Sequence, residues 1–108
     1  MPLIKKMVFV KRKKGMSRER FERYWLNEHA DFFLKVPGIK KYVINIVQPS
    51  ESNECPYDGV AELWYDSLES MELIDDTSEL KQFLREDNPR FQDVTKRRSV
   101  IVAEHPII

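Results

Sequence analysis

The stretch IKKYVINIV, residues 39–47, decides how the rest of the chain is read. Extended backbone sends successive side chains to opposite faces of a sheet. Tyr42, Ile44 and Ile46 share one face and Ile39, Val43 and Val47 the other, so neither face reads as wet. An antiparallel strand with one solvated face alternates apolar with polar instead. The same double-sided pattern recurs in IKKMVFV, residues 4–10, where Met7 and Phe9 oppose Val8 and Val10. It recurs again in SVIVAE, residues 99–104, with Val100 and Val102 against Ile101 and Ala103. GVAELWY, residues 59–65, supplies the remaining strand, rich in β-branched and aromatic residues.

Helical signals fill the gaps. Ser17 is an N-cap candidate with Glu19 in the first turn, and Met16 and Phe21 have the spacing of a hydrophobic staple. Pro37 pushes Val36 out of helical conformation, which predicts a stop near Lys35. At roughly 100° per residue from Phe21, the buried stripe takes in Phe32, Trp25, His29 and, at its edge, Phe33. Tyr24 and Glu28 fall on the other shoulder. Residues 48–57, QPSESNECPY, read as a polar hairpin loop. Ser67 opens a second helical region whose inner face carries Leu68, Met71 and Leu73-Ile74, and Asp75-Asp76-Thr77 interrupts it. Ser78–Arg85 forms a further helix that ends before Pro89, leaving Phe91 and Val94 on a short turn. The order is βαββαβ. It predicts an α+β, ferredoxin-like domain over residues 1–108, a four-stranded antiparallel sheet with helices on one face. Those helices cover one apolar face only, so the other is expected to pack against a second copy in a homodimer.

A length of 108 residues allows one domain, and 42% apolar with 33% charged residues excludes a disordered or membrane-embedded chain. No apolar run reaches the ~20 residues of a membrane span, and the N-terminal stretch lacks a signal-peptide pattern. Cys55 stands alone, without disulfide or metal-site spacing, and a cytoplasmic location is the expectation. Charge is split along the chain: residues 1–50 hold 12 basic and 4 acidic side chains, residues 51–87 hold 2 and 12. The halves are expected to neutralise each other in the fold. A nucleic-acid partner is not expected, because no aromatic residues interleave with the Lys11–Lys14 run and the GVAELWY strand is flanked by Asp58 and Asp66.

FERYWLNEHADFF (21–33), VPGIKKYVIN (36–45) and DGVAELWYDS (58–67), in this order and spacing, resemble the EthD family of small α+β proteins. The resemblance spans nearly the whole chain. It implies a dimeric α+β barrel with a ligand cleft between each sheet and its own helices. It also implies kinship with cofactor-free isomerases and cyclases of lactones and polyketides, with heme-degrading monooxygenases, and with members of no known activity. Architecture follows from such kinship far more closely than reaction does.

His29, at the edge of an apolar helix face, is the first candidate for proton transfer; its bland alternative is a structural histidine satisfied by a hydrogen bond. Glu62 reads as a base, an orienter of the imidazole, or the ion-pair partner of a lysine. Tyr42 offers a phenolic donor for a carbonyl or enolate, or a packed ring with a wet tip. Trp25, Phe32, Phe33 and Trp64 are the pocket candidates, with core packing as the alternative, and Asn45 and Asp58 complete the set. Two distant histidines, with no HxxH, HExxH or CxxC spacing and no Gly-rich phosphate loop, suggest neither a metal site nor a nucleotide cofactor. The expectation is acid–base chemistry without a cofactor on a small, hydrophobic, oxygenated compound such as a lactone or aromatic polyketide. The alternative is a non-catalytic or stress-responsive dimer that binds such a compound, with heme handling and RNA binding less favoured.

Overall fold

A computed structural model describes residues 3–50 and 54–108, so the middle of the loop expected at 48–57 lies outside the described residues. The strands are β1 (Ile4–Val10), β2 (Lys41–Ile46), β3 (Gly59–Tyr65) and β4 (Arg98–Ala103), joined in the order β2-β3-β1-β4 with every neighbour antiparallel. This is the ferredoxin-like arrangement. β2 is shorter than its apolar pattern, although Lys40 and Val47 still donate to the carbonyls of Trp64 and Asp58.

Ser17 caps the first helix as expected, its Oγ accepting from the Arg20 N–H at 3.2 Å. That helix is not uniform. α1 (Arg18–Tyr24) passes into a π turn (Trp25–His29), in which the Ala30 N–H reaches back to the Trp25 carbonyl, and then into α2 (Ala30–Phe33). The π turn absorbs one extra residue, which slips the helix phase by roughly 100°. Phe33 therefore turns toward the sheet, where it meets Tyr42 at 4.9 Å between ring centroids. Phe32, projected to the middle of the stripe, instead stacks outside on Phe83 at 3.9 Å.

Ser67 and Ser70 form a reciprocal capping box at the start of α3 (Leu68–Asp75), whose inward residue is Met71, while Leu73 is exposed. α4 (Ser78–Phe91) corrects the expectation of a helix ending at Arg85: it runs through Pro89 to Phe91. Proline removes one backbone donor, but Pro89 is exposed, and continuing the helix buries Asp87, Asn88 and Phe91 on its inner side. Phe91 is fully buried in the core, not on a turn, and only Val94 lies in the exposed segment beyond.

The helices pack on one sheet face, where Val8, Val10, Ala61, Leu63 and Tyr65 meet Phe21, Trp25, Met71 and Phe91. Gly59 is required there by close approach: a Cβ would collide with the Trp25 indole and with the Asn45 carbonyl. On the opposite face stand Met7, Phe9, Val43, Val60, Val100 and Val102, with no helix over them among the described residues. The unequal halves of the charge pattern meet as expected, through Lys5–Glu62, Lys6–Asp75, Arg18–Asp58 and Lys40–Asp66.

Candidate functional site

His29 ends the π turn and is 4% exposed, facing the inner side of α4. Its Nδ1 lies 2.7 Å from Asp87 Oδ2, and Asp87 Oδ1 accepts from the Tyr24 hydroxyl at 2.5 Å. The rings of Phe91, Phe83 and Phe33 surround the imidazole at 4.7, 5.2 and 5.4 Å between centroids. Burial pulls the His29 pKa below 6.5, and the neighbouring Asp87 carboxylate only partly restores it. The imidazole is therefore neutral at pH 7. A carboxylate accepts only, so the single ring proton sits on Nδ1 and points at Asp87, and Nε2 keeps a free lone pair. Asp87 holds the tautomer and stabilises the imidazolium that forms when Nε2 takes a proton.

His29 lines a cavity of about 40 Å³ between sheet and helices, walled by Val8, Val10, Ala61 and Leu63 and shared with Trp25, Phe33 and Tyr42. That volume holds roughly three waters or a ligand group of a few heavy atoms. Trp25 Nε1 donates to the Tyr42 hydroxyl at 3.3 Å, which leaves the phenolic hydrogen available to a second acceptor. Burial pushes the Tyr42 pKa up to about 12, so it remains a donor at any physiological pH. A second, apolar groove of about 610 Å³ opens outside, between Phe32, Val36, Pro37, Leu73 and Ile74, and Leu80 borders both spaces. A neutral imidazole and a protonated phenol on one cavity are groups that acid–base chemistry uses.

Residues 13–95 match the EthD domain family, more than half of the chain. The chain belongs to the EthD family. Among solved structures, an EthD family protein from Bacillus halodurans superposes with a TM-score of 0.77 at 21% identity, covering 95% of this chain and 99% of that one. A dimeric ferredoxin-like protein of unknown function from Thermobifida fusca gives a TM-score of 0.71 at 12% identity, covering 95% and 92%. A hydroxynitrile lyase from Passiflora edulis gives 0.75 at 11% identity, covering 99% and 97%. At these identities the likeness to solved structures is one of fold. No protein with a curated description matches the chain.

The EthD resemblance read from residues 21–67 is thus confirmed, and of the residues singled out with it the cavity gathers His29, Tyr42, Trp25 and Phe33. The others stand elsewhere. Glu62 and Trp64 lie on the opposite sheet face, as the pairing of Met7 with Glu62 and of Lys5 with Trp64 requires. Glu62 is held by Lys5 at 2.9 Å and by the Asn45 side-chain amide at 2.9 Å, and the Lys5 ammonium holds its carboxyl below the usual range. The ion pair is the role the structure gives it, and it has no route to His29. Trp64 lies beneath the ammonium groups of Lys41 and Lys5, at 4.8 and 5.1 Å. Asp58 accepts from the Arg12 backbone N–H at 2.7 Å and pairs with Arg18 at 3.3 Å, which ties the end of β1 to the start of α1. Phe32 lines the outer groove.

Asp87, the residue that orients His29, was absent from the sequence reading. Its signal was available: Leu80, Leu84, Asp87, Asn88 and Phe91 keep helical spacing straight across Pro89. Among the described residues, no three His, Cys, Asp or Glu side chains converge into a metal-holding group, and no helix is long and apolar enough to cross a membrane.

Proposed function

We propose that this EthD chain is an acid–base catalyst that uses no cofactor and acts on a small oxygenated compound held between sheet and helices. His29 Nε2 removes a proton from a carbon or hydroxyl of the substrate. Tyr42 donates to the oxygen on which negative charge develops, and the protonated imidazole returns its proton to the product. Isomerisation, cyclisation and lyase chemistry all fit this exchange, because each moves a proton beside a polarised oxygen. The observation that carries the reading is the 2.7 Å His29–Asp87 contact at the wall of the cavity shared with Tyr42, with the free nitrogen left uncharged. The relative described as a hydroxynitrile lyase supports a lyase on this fold without naming this substrate. An aromatic polyketide exceeds the 40 Å³ available, so the cavity takes a smaller compound or the reactive end of a larger one.

The reading includes a homodimer, joined through the sheet face that bears Met7, Phe9, Val60 and Val100. Its support is the absence of a covering helix among the described residues and the dimeric relative with the same fold.

Deuterium uptake from D2O into enolisable ketones and lactones tests the acid–base step without a known substrate. Catalysed exchange is expected for wild type, with His29→Gln reduced about 10²- to 10⁴-fold. Exchange at wild-type rate in a folded His29→Gln protein would remove the mechanism.

A further inference from the structure

The cavity has a second polar end that the His29 chemistry leaves unused. Asn88 and Gln92 stand one turn apart where α4 ends, 9% and 4% exposed, and both line the cavity. Asn88 Oδ1 and Gln92 Oε1 are buried without a hydrogen-bond partner. Most buried amide oxygens in native folds are paired, so two on one helical turn, both lining one cavity, point to donors supplied from that cavity. Arg97 lines the same space, and among the described residues no carboxylate lies within ion-pair distance of its guanidinium; Asp75 acts on it only from further away. Its positive charge is near enough to His29 to oppose protonation there, so the two ends of the cavity are within electrostatic reach of each other. Leu84, Asn88 and Arg97 also border a shallow surface depression with Pro89 and Val94, which makes this end the side on which the cavity approaches solvent.

We propose that Asn88, Gln92 and Arg97 form a subsite for a ligand hydroxyl, which donates to an amide oxygen and accepts a guanidinium N–H. With the two amide oxygens turned to the cavity, a carbonyl has no hydrogen to give them, and a carboxylate would meet them with like partial charge. A hydroxyl gives its one hydrogen to one amide oxygen and accepts from Arg97 at once, and a water or a second hydroxyl serves the other amide oxygen. The substrate class narrows accordingly, an extension that rests on the acid–base reading of the same cavity. It is a hydroxycarbonyl compound, its carbonyl side toward His29 and Tyr42 and its hydroxyl toward the end of α4.

Propan-2-ol, acetone and acetate are equal in heavy-atom count and offer a hydroxyl, a carbonyl and a carboxylate in turn. Each is titrated into the full-length ¹⁵N-labelled chain, read on the side-chain amide resonances of Asn88 and Gln92. Saturable shifts are expected with propan-2-ol, at an apparent affinity about tenfold above the other two. That preference should vanish in Asn88→Leu, read on Gln92, and in Arg97→Met, a partly exposed position that serves even where Asn88→Leu does not fold. No saturation with propan-2-ol, equal affinity for all three, preference for acetate, or a preference that survives Arg97→Met would overturn the subsite. His29→Gln keeps the hydroxyl preference, so the two readings fail separately: exchange at wild-type rate in His29→Gln with the preference intact overturns the acid–base reading alone, and loss of the preference in wild type with His29-dependent exchange intact overturns the subsite alone.

Discussion

At His29 two influences oppose each other: burial among aromatic rings disfavours the charged imidazole, and the Asp87 carboxylate favours it. Burial dominates, so the folded chain takes up this proton at a lower pH than the unfolded chain does, for which 6.5 is the ordinary value. The residue's contribution to stability is complete above that value and is lost as pH falls from it toward the folded pKa. The slope is at most about 1.4 kcal/mol per pH unit, one proton's worth. Glu62 and Glu104, held low by Lys5, release their contributions at lower pH still, so the interval just below 6.5 isolates the histidine. Urea unfolding at pH 7.5 and 5.5 should show wild type weaker at 5.5, with a smaller difference in His29→Gln. A wild type equally stable at both values would contradict the assignment of burial as the dominant influence.

At the scale of elements, α4 continues through a residue that usually ends helices. Pro89 supplies no N–H to the Arg85 carbonyl one turn back, and the helix persists because Asp87, Asn88 and Phe91 are buried by it. Pro89→Ala restores that donor at an exposed position and should raise stability by about 1 kcal/mol, seen as a higher Tm. A lower Tm would mean that proline sets a bend the core needs. The same proline hid Asp87 from the sequence, since a helix stopped at Arg85 leaves the carboxylate outside the stripe it belongs to. The strands were legible: β1 and β3 coincide with their periodic stretches, because alternation needs no tertiary information. The cap at Ser17 and the start of a helical region at Ser67 were legible for the same reason. The phase of the first helix beyond Trp25 was not, for a π turn leaves no periodic mark and exchanges the places of Phe32 and Phe33. Both sheet faces carry apolar residues, so alternation along β3 does not say whether Glu62 looks at His29 or away from it.

For the whole molecule, the second sheet face, where apolar residues stand around the Lys5–Glu62 pair, has no helix over it among the described residues. Hydrophobic burial scales with the area removed from water, and Met7, Phe9, Val60, Val100 and Val102 present that area together. Sedimentation velocity at micromolar concentration should give a species of about twice the chain's 12.9 kDa. Val100→Lys, on the half-exposed edge of this face, should shift it toward the single chain without loss of helix signal. A folded wild-type species at the single-chain mass would contradict the homodimer, and leave the His29 cavity, formed within one chain, unaffected.

The protonation state of His29 can be read directly by long-range ¹H–¹⁵N correlation of the ring nitrogens across pH. The result expected is a neutral ring at pH 7 with its hydrogen on Nδ1, a pKa below 6.5, and a further fall in Asp87→Asn, where the charge that favours imidazolium is gone. A ring that carries its hydrogen on Nε2 at neutral pH, or that titrates above 6.5, would contradict the base on which the proposed chemistry stands.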